Sequence, residues 1–141
     1  MIKKLTSARQ LKINIANNIR EIEVLNKDLD NLIAYISPLL KRKKIDAYFV
    51  AQCERGVSKF EEIEGQIHSI KYDNIVYYQR LMKQNATLKA RCSKDFKKLM
   101  NAFTSLEHRR DKYDSTKIDE IFLYTPASVG LSDSKYVAEE I

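Results

Sequence analysis

Apolar residues return every three or four positions through the opening of the chain: Leu5, Ala8, Ile15, Ile19, Ile22, Leu29, Ile33 and Ile36, with Lys12 and Asn26 interrupting the register. This spacing puts them on one stripe and predicts a helix with a heptad seam from Leu5 to Ile36. Asn26 falls on the seam. A single Asn there can fix register at some cost in stability, or can be tolerated because the seam is partly exposed, and both readings stay open. Ser37-Pro38 is expected to break the helix, since Pro lacks an amide donor and disfavours helical geometry in the residue before it.

After Leu39-Leu40 and the basic run Lys41-Arg42-Lys43-Lys44, a second periodic region extends to about Tyr113. Its stripe is Phe49, Cys53, Val57, Phe60, Ile63, Ile67, Ile70, Tyr77, Leu81, Leu88, Cys92, Phe96, Leu99, Phe103 and Leu106. The four-and-four spacing of Leu88, Cys92 and Phe96 slips the heptad and should unwind a supercoil locally. Gly56 and Gly65 each weaken a helix by about 1 kcal/mol relative to Ala. A bend at either is expected, and a break at Gly65 would give three helices.

The fold these patterns predict is all-α: an elongated antiparallel two-helix coiled-coil hairpin, with a three-helix bundle as the alternative. A first helix of about 32 residues spans roughly 48 Å at 1.5 Å per residue, and the second region is about twice as long. The short arm leaves Leu81, Leu88, Phe96, Leu99 and Phe103 as an uncovered stripe, an interaction surface unless the chain folds back or dimerises. Residues 1–114 form the helical domain. From Ser115 to Ile141 the character changes to two Lys against five acidic residues, with Pro126 and Gly130. An irregular acidic tail is expected there.

Composition agrees with helices that bury one stripe and solvate the rest: 44% hydrophobic and 31% charged, with only three Gly and two Pro in 141 residues to make turns. A length of 141 residues suits one domain. No apolar run is long enough for a transmembrane segment, and the amino terminus leads into a mixed polar stretch, not a secretory core. A cytoplasmic location is the expectation. The formal charge of +6 divides unevenly: the tail's two Lys and five acidic residues give −3, leaving +9 for residues 1–114.

Cys53 and Cys92 sit on apolar helical positions outside any paired metal or redox motif, so they read as buried free thiols. His68 and His108 are isolated. Glu61, Glu62 and Glu64 spread around a helix as solvated charge, and no glycine-rich phosphate loop or serine elbow occurs. The expectation is a protein that is not an enzyme, with no catalytic, cofactor-binding or metal site.

Basic residues carry the stronger charge signal. They cluster as Lys3-Lys4-Arg9-Lys12, as Lys41 to Lys44, as Lys89-Arg91-Lys94-Lys97-Lys98 and as Arg109-Arg110-Lys112. Three readings stand: a solvated face, a surface for an acidic protein partner, and nucleic-acid binding, the last weakened by interspersed acids. Tyr35, Tyr48 and Phe49 concentrate around the expected turn, either as a packed plug or as an exposed hot spot. In a narrow hairpin at least one ring should stay exposed.

The opening Met1-Ile2-Lys3-Lys4-Leu5, the Leu32-Ile33-Ala34-Tyr35 end of the first helix, the turn followed by Ile45, Tyr48 and Phe49, and the basic Phe96-Lys97-Lys98-Leu99-Met100 stretch carry a resemblance. Over residues 1–113 the chain resembles the coiled-coil stalk proteins of type III secretion systems, the FliJ and SctO (YscO) family. The resemblance implies a two-helix coiled coil, like that of the rotary ATP synthase gamma subunit, in the pore of a hexameric secretion ATPase. It also implies hairpin contact with an export gate through positions matching Leu32 and Tyr35, and Tyr48 and Phe49 beside them. Expected partner-binding residues are therefore Leu32, Tyr35, Tyr48 and Phe49, with the basic Lys3, Lys4, Lys97, Lys98, Arg109 and Arg110. Such a stalk couples the ATPase to the gate by protein contacts, at the inner membrane only through the apparatus, and export chaperones are a further class of partner. The short first helix, Gly56, Gly65 and the acidic tail depart from the family pattern. The alternatives are a basic helical nucleic-acid-binding protein and a helical chaperone or scaffold.

Overall fold

The computed structural model describes residues 7–42 and 44–126. Among these there is no strand, and helices account for nearly all of the described residues. α1 is Ala8–Leu40, α2 is Ala47–Ser69, α3 is Val76–Gln84, α4 is Ala86–Tyr113 and α5 is Asp119–Phe122. Two π-helical turns, Ile70–Ile75 and Asp114–Ile118, join α2 to α3 and α4 to α5 without a break. No helix among the described residues is long and apolar enough to cross a membrane.

The chain gathers into two compact units, residues 7–27 with 64–108, and residues 28–63 with 109–126. Each contains three helical segments. In the first unit, the Cys92 thiol lies 3.6 Å from the Ala8 carbonyl, and Lys12 pairs with Asp95 at 3.0 Å. α4 thus runs alongside the start of α1 in the same direction. In the second unit Arg109 binds the Asp30 carboxylate, and a side chain at Gly56 would meet both Ile36 of α1 and Ile121 of α5.

Three local expectations are corrected. Pro38 does not break α1 but lies within its last turn. There the missing donor costs only one intrahelical bond, and the chain closes with Lys41 and Arg42 amides on the Pro38 and Leu39 carbonyls. Gly65 does not interrupt α2 either, because its exposed site needs no turn geometry. The break falls instead at Asn85, extended at φ −139° and ψ 103°. Its side-chain oxygen accepts from the amides of Thr87 and Leu88, capping α4. Finally, helix continues past Ser115: Ile118 and Ile121 are fully buried and Thr125 is covered too. The rest of the acidic tail, from residue 127, lies outside the described residues.

Burial follows a strict heptad in α1: Ala8, Ile15, Ile22, Leu29 and Ile36 alternate with Leu11, Asn18, Leu25, Leu32 and Leu39. The first set matches the sequence reading; the second replaces the expected Lys12, Ile19, Asn26 and Ile33. Lys12 is exposed, and Ile19, Asn26 and Ile33 are half-buried at the stripe's edge. The polar residue in the seam is therefore Asn18. Its oxygen accepts from the Tyr78 hydroxyl at 2.5 Å and its amide donates to Glu21 at 2.6 Å, which satisfies a group otherwise costly to bury.

The π-turns explain the remaining departures. Phe49, Cys53, Gly56, Phe60, Ile63, Ile67 and Ile70 are buried at alternating spacings of four and three. A continuing heptad would reach 74, 77 and 81, but the wide turn, closed by the Val76 amide on the Lys71 carbonyl, inserts one residue. Burial resumes at Ile75, Tyr78 and Met82, and Tyr77 moves to the edge. The second π-turn does the same. After Leu99, Phe103 and Leu106 the buried positions resume at Ile118, Ile121 and Thr125. Leu81, Leu88, Leu99 and Phe103, expected to be uncovered, are buried because α4 folds back beside α1; Phe96 is half-buried.

Candidate protein-binding surface

The second unit carries five of the eight exposed large apolar or aromatic side chains among the described residues: Tyr35, Ile45, Tyr48, Leu123 and Tyr124. The α1–α2 turn comes against the end of α5 through the Phe49 and Tyr124 rings; Ile45 and Tyr48 belong to that turn and Leu123 precedes Tyr124. Asp46 starts α2 by accepting from the Phe49 amide at 2.8 Å, which fixes the direction of the first turn. That bond, helped by Arg42 and Lys44, holds the Asp46 carboxyl below its ordinary value. On this turn Phe49 points inward, 3% exposed, while Tyr48 points out at 61%. The Phe49 ring meets the Tyr124 ring edge-on at 5.0 Å. The Arg42 guanidinium lies over the Tyr48 ring, 5.3 Å from its centre, and 6.0 Å from that of Phe49.

Apolar area is thus supported from beneath: Phe49 is buried, Tyr48 and Tyr124 are exposed, and the Arg42 guanidinium lies against Tyr48 and Phe49. Lys41, Arg42 and Lys44 are exposed around it, so the surface is both apolar and basic. Aromatic and Arg side chains of this kind anchor protein interfaces because they desolvate large areas with few rotatable bonds. Nearby in the same unit a groove of about 380 Å³ runs between α1 and α2, lined by Leu32, Tyr35, Arg55 and Lys59 among others.

The structure sorts the residues expected from sequence. Tyr35 and Tyr48 are exposed, whereas Leu32 and Phe49 are core residues whose burial follows the heptads of α1 and α2. Lys97 and Lys98 are exposed on α4 in the first unit. Arg109 is engaged with Asp30 and held more basic than usual, first by a hydrogen bond with Tyr113. Arg110 pairs with Asp111 at 2.7 Å. Lys3 and Lys4 lie outside the described residues. Leu123 and Tyr124 were not anticipated, although the apolar run from Ile121 to Tyr124 could have announced them.

Cys53 and Cys92 are fully buried, as their seam positions predicted, and burial pushes both thiols up. Among the described residues no group of three or more His, Cys, Asp or Glu side chains could hold a metal ion. Comparison with protein families, curated proteins and solved structures finds no match to the chain.

Proposed function

We propose that this protein acts by binding other proteins through the apolar, basic patch of Tyr48, Ile45, Tyr124 and Leu123, and that it forms no bond itself. The observation that carries the reading is the pairing of presented rings with a buried one beneath them, since surface aromatics without such support are usually mobile and cost more entropy to immobilise. The partners follow from the resemblance to the FliJ and SctO (YscO) stalks: an export gate at this patch, and a hexameric secretion ATPase through basic residues such as Lys97 and Lys98. The fold adds something to that resemblance. Within each unit we read the packing as three-helical: in the first, α4 joins α1 through the Ala8–Cys92 and Lys12–Asp95 contacts, and in the second through Asp30–Arg109. A two-helix stalk would lack that third segment.

Co-purification tests the reading. The wild-type chain should be retained by the hexameric ATPase and by the cytoplasmic domain of the export gate. Tyr48→Ala with Leu123→Ala should weaken gate binding by about tenfold or more, as hot-spot truncations do, and leave ATPase retention unchanged. Retention by neither partner would reject the stalk. Tight, steeply salt-dependent binding to labelled DNA would replace it with the nucleic-acid reading.

A further inference from the structure

The first unit holds a second surface that the tip patch does not account for. Between α3 and α4 lies a groove of about 420 Å³, with Met82, Phe96 and Met100 along its apolar floor and Lys83, Lys89 and Lys97 at its rim. No acidic side chain lines it. Asp95, next to Phe96 on α4, is turned away to Lys12 of α1 at 3.0 Å. The core of α4 passes from Cys92 to Leu99, both fully buried, and leaves Phe96 half-buried in the groove. The four-and-four slip in the α4 pattern thus has a structural consequence: one aromatic is displaced from the core into a concave, uniformly basic site.

Two of the three methionines in the chain face this groove. Met adapts to varied apolar shapes because its side chain is unbranched and polarisable. A channel between two helices, apolar in its depth and charged at its edge, matches the helix-in-groove mode of recognition. The charge selects the sign of the partner. A lipid surface would reach the rim lysines but not the recessed Met82, which is only 8% exposed. We infer that this groove docks an acidic amphipathic helix of a partner protein, its apolar face on Met82, Phe96 and Met100 and its carboxylates on Lys83, Lys89 and Lys97. The inference is independent of the tip patch and of the gate, and it shares Lys97 with the proposed ATPase contact.

The full chain labelled with ¹³C at the methionine methyls tests it. The probes are a synthetic helix with Leu on one face and Glu on the other, a scrambled peptide of the same composition, its Lys-for-Glu counterpart, and phosphatidylglycerol vesicles. The acidic helix should shift the Met82 and Met100 signals. Phe96→Ala should weaken its binding by about tenfold. Lys89→Glu with Lys97→Glu, both at exposed sites, should abolish it and transfer preference to the Lys peptide, with circular dichroism unchanged. Equal binding of the acidic and scrambled peptides, an unmoved Met82 signal, or normal affinity in the charge-reversed chain would overturn the inference. Shifts produced by vesicles but not by the acidic helix would assign the groove to lipid instead.

Discussion

Tyr78→Phe removes a single oxygen from the interior and is the sharpest probe of how α1 is registered against α3. In the wild type the Tyr78 hydroxyl donates to the Asn18 oxygen at 2.5 Å, with both residues under 5% exposed. Without the phenol, that oxygen has lost its donor in a site water does not reach. An orphaned buried acceptor costs about 1–3 kcal/mol, and 2 kcal/mol lowers the folding constant about thirtyfold. Asn18→Leu completes the apolar heptad but strands the Tyr78 hydroxyl. Asn74 is a second hydrogen-bonding partner of that hydroxyl and softens the loss. The double variant replaces both polar groups and should recover most of the stability. Urea unfolding of all four proteins, followed by circular dichroism, gives a coupling energy of about 1–3 kcal/mol if the pair works as described. Additivity within about 0.5 kcal/mol would refute the reasoning, because the two residues would then not share a buried bond.

The two glycines of α2 should respond differently to an added side chain. Gly65 has nothing within 4 Å of an added Cβ, so Gly65→Ala should stabilise by about 1 kcal/mol in thermal melts. At Gly56 an added Cβ would stand 2.9 Å from Ile121 Cδ1. Gly56→Ala should thus come out near neutral as Ile121 shifts rotamer, and Gly56→Leu should destabilise by about 1–3 kcal/mol. Thiol reagents should modify Cys53 and Cys92 slowly in the native protein and quickly in denaturant, since both are fully buried; rapid native labelling of both would contradict the packing. Burial, then Asp119, raises the Asp114 carboxyl above its ordinary 3.8, so its contribution favours folding while it is protonated and turns against folding as pH rises through the raised value. Asp114→Asn should raise the melting temperature at neutral pH, and the gain should vanish as the pH falls towards 3.8.

Part of this surface was legible from residue type alone. Tyr35 and Tyr48 stood out as turn aromatics, with a packed plug and an exposed hot spot both open, and their place off the stripe agrees with the exposure observed. Phe49 was legible as a heptad member too, but the resemblance drew it to the surface; Leu32 stood on the flank of α1 that the sequence pattern passed over in favour of Ile33. Leu123 and Tyr124 were hidden by the acidic composition around them, which made residues after 115 read as irregular. What brings Tyr124 against Phe49 is the burial of Ile121 against Gly56, a contact about 65 residues apart that no local pattern encodes.

By itself the sequence determined the helices, the solvated face and the buried thiols, because those follow from side-chain polarity at a period near 3.6 residues. It also fixed half of the α1 seam, the set Ala8, Ile15, Ile22, Leu29 and Ile36. It could not choose the other half. Leu11, Leu25 and Leu32 stand on one flank of that row and Ile19 and Ile33 on the other, and both flanks are apolar enough to bury. The choice depends on where neighbouring helices stand, which α4 decides by lying beside α1, and it moves the buried polar role from Asn26 to Asn18. The π-turns were equally out of reach. A wide turn leaves composition unchanged and rotates every later residue by one position, so only packing on both sides of it reveals that the period has been shifted.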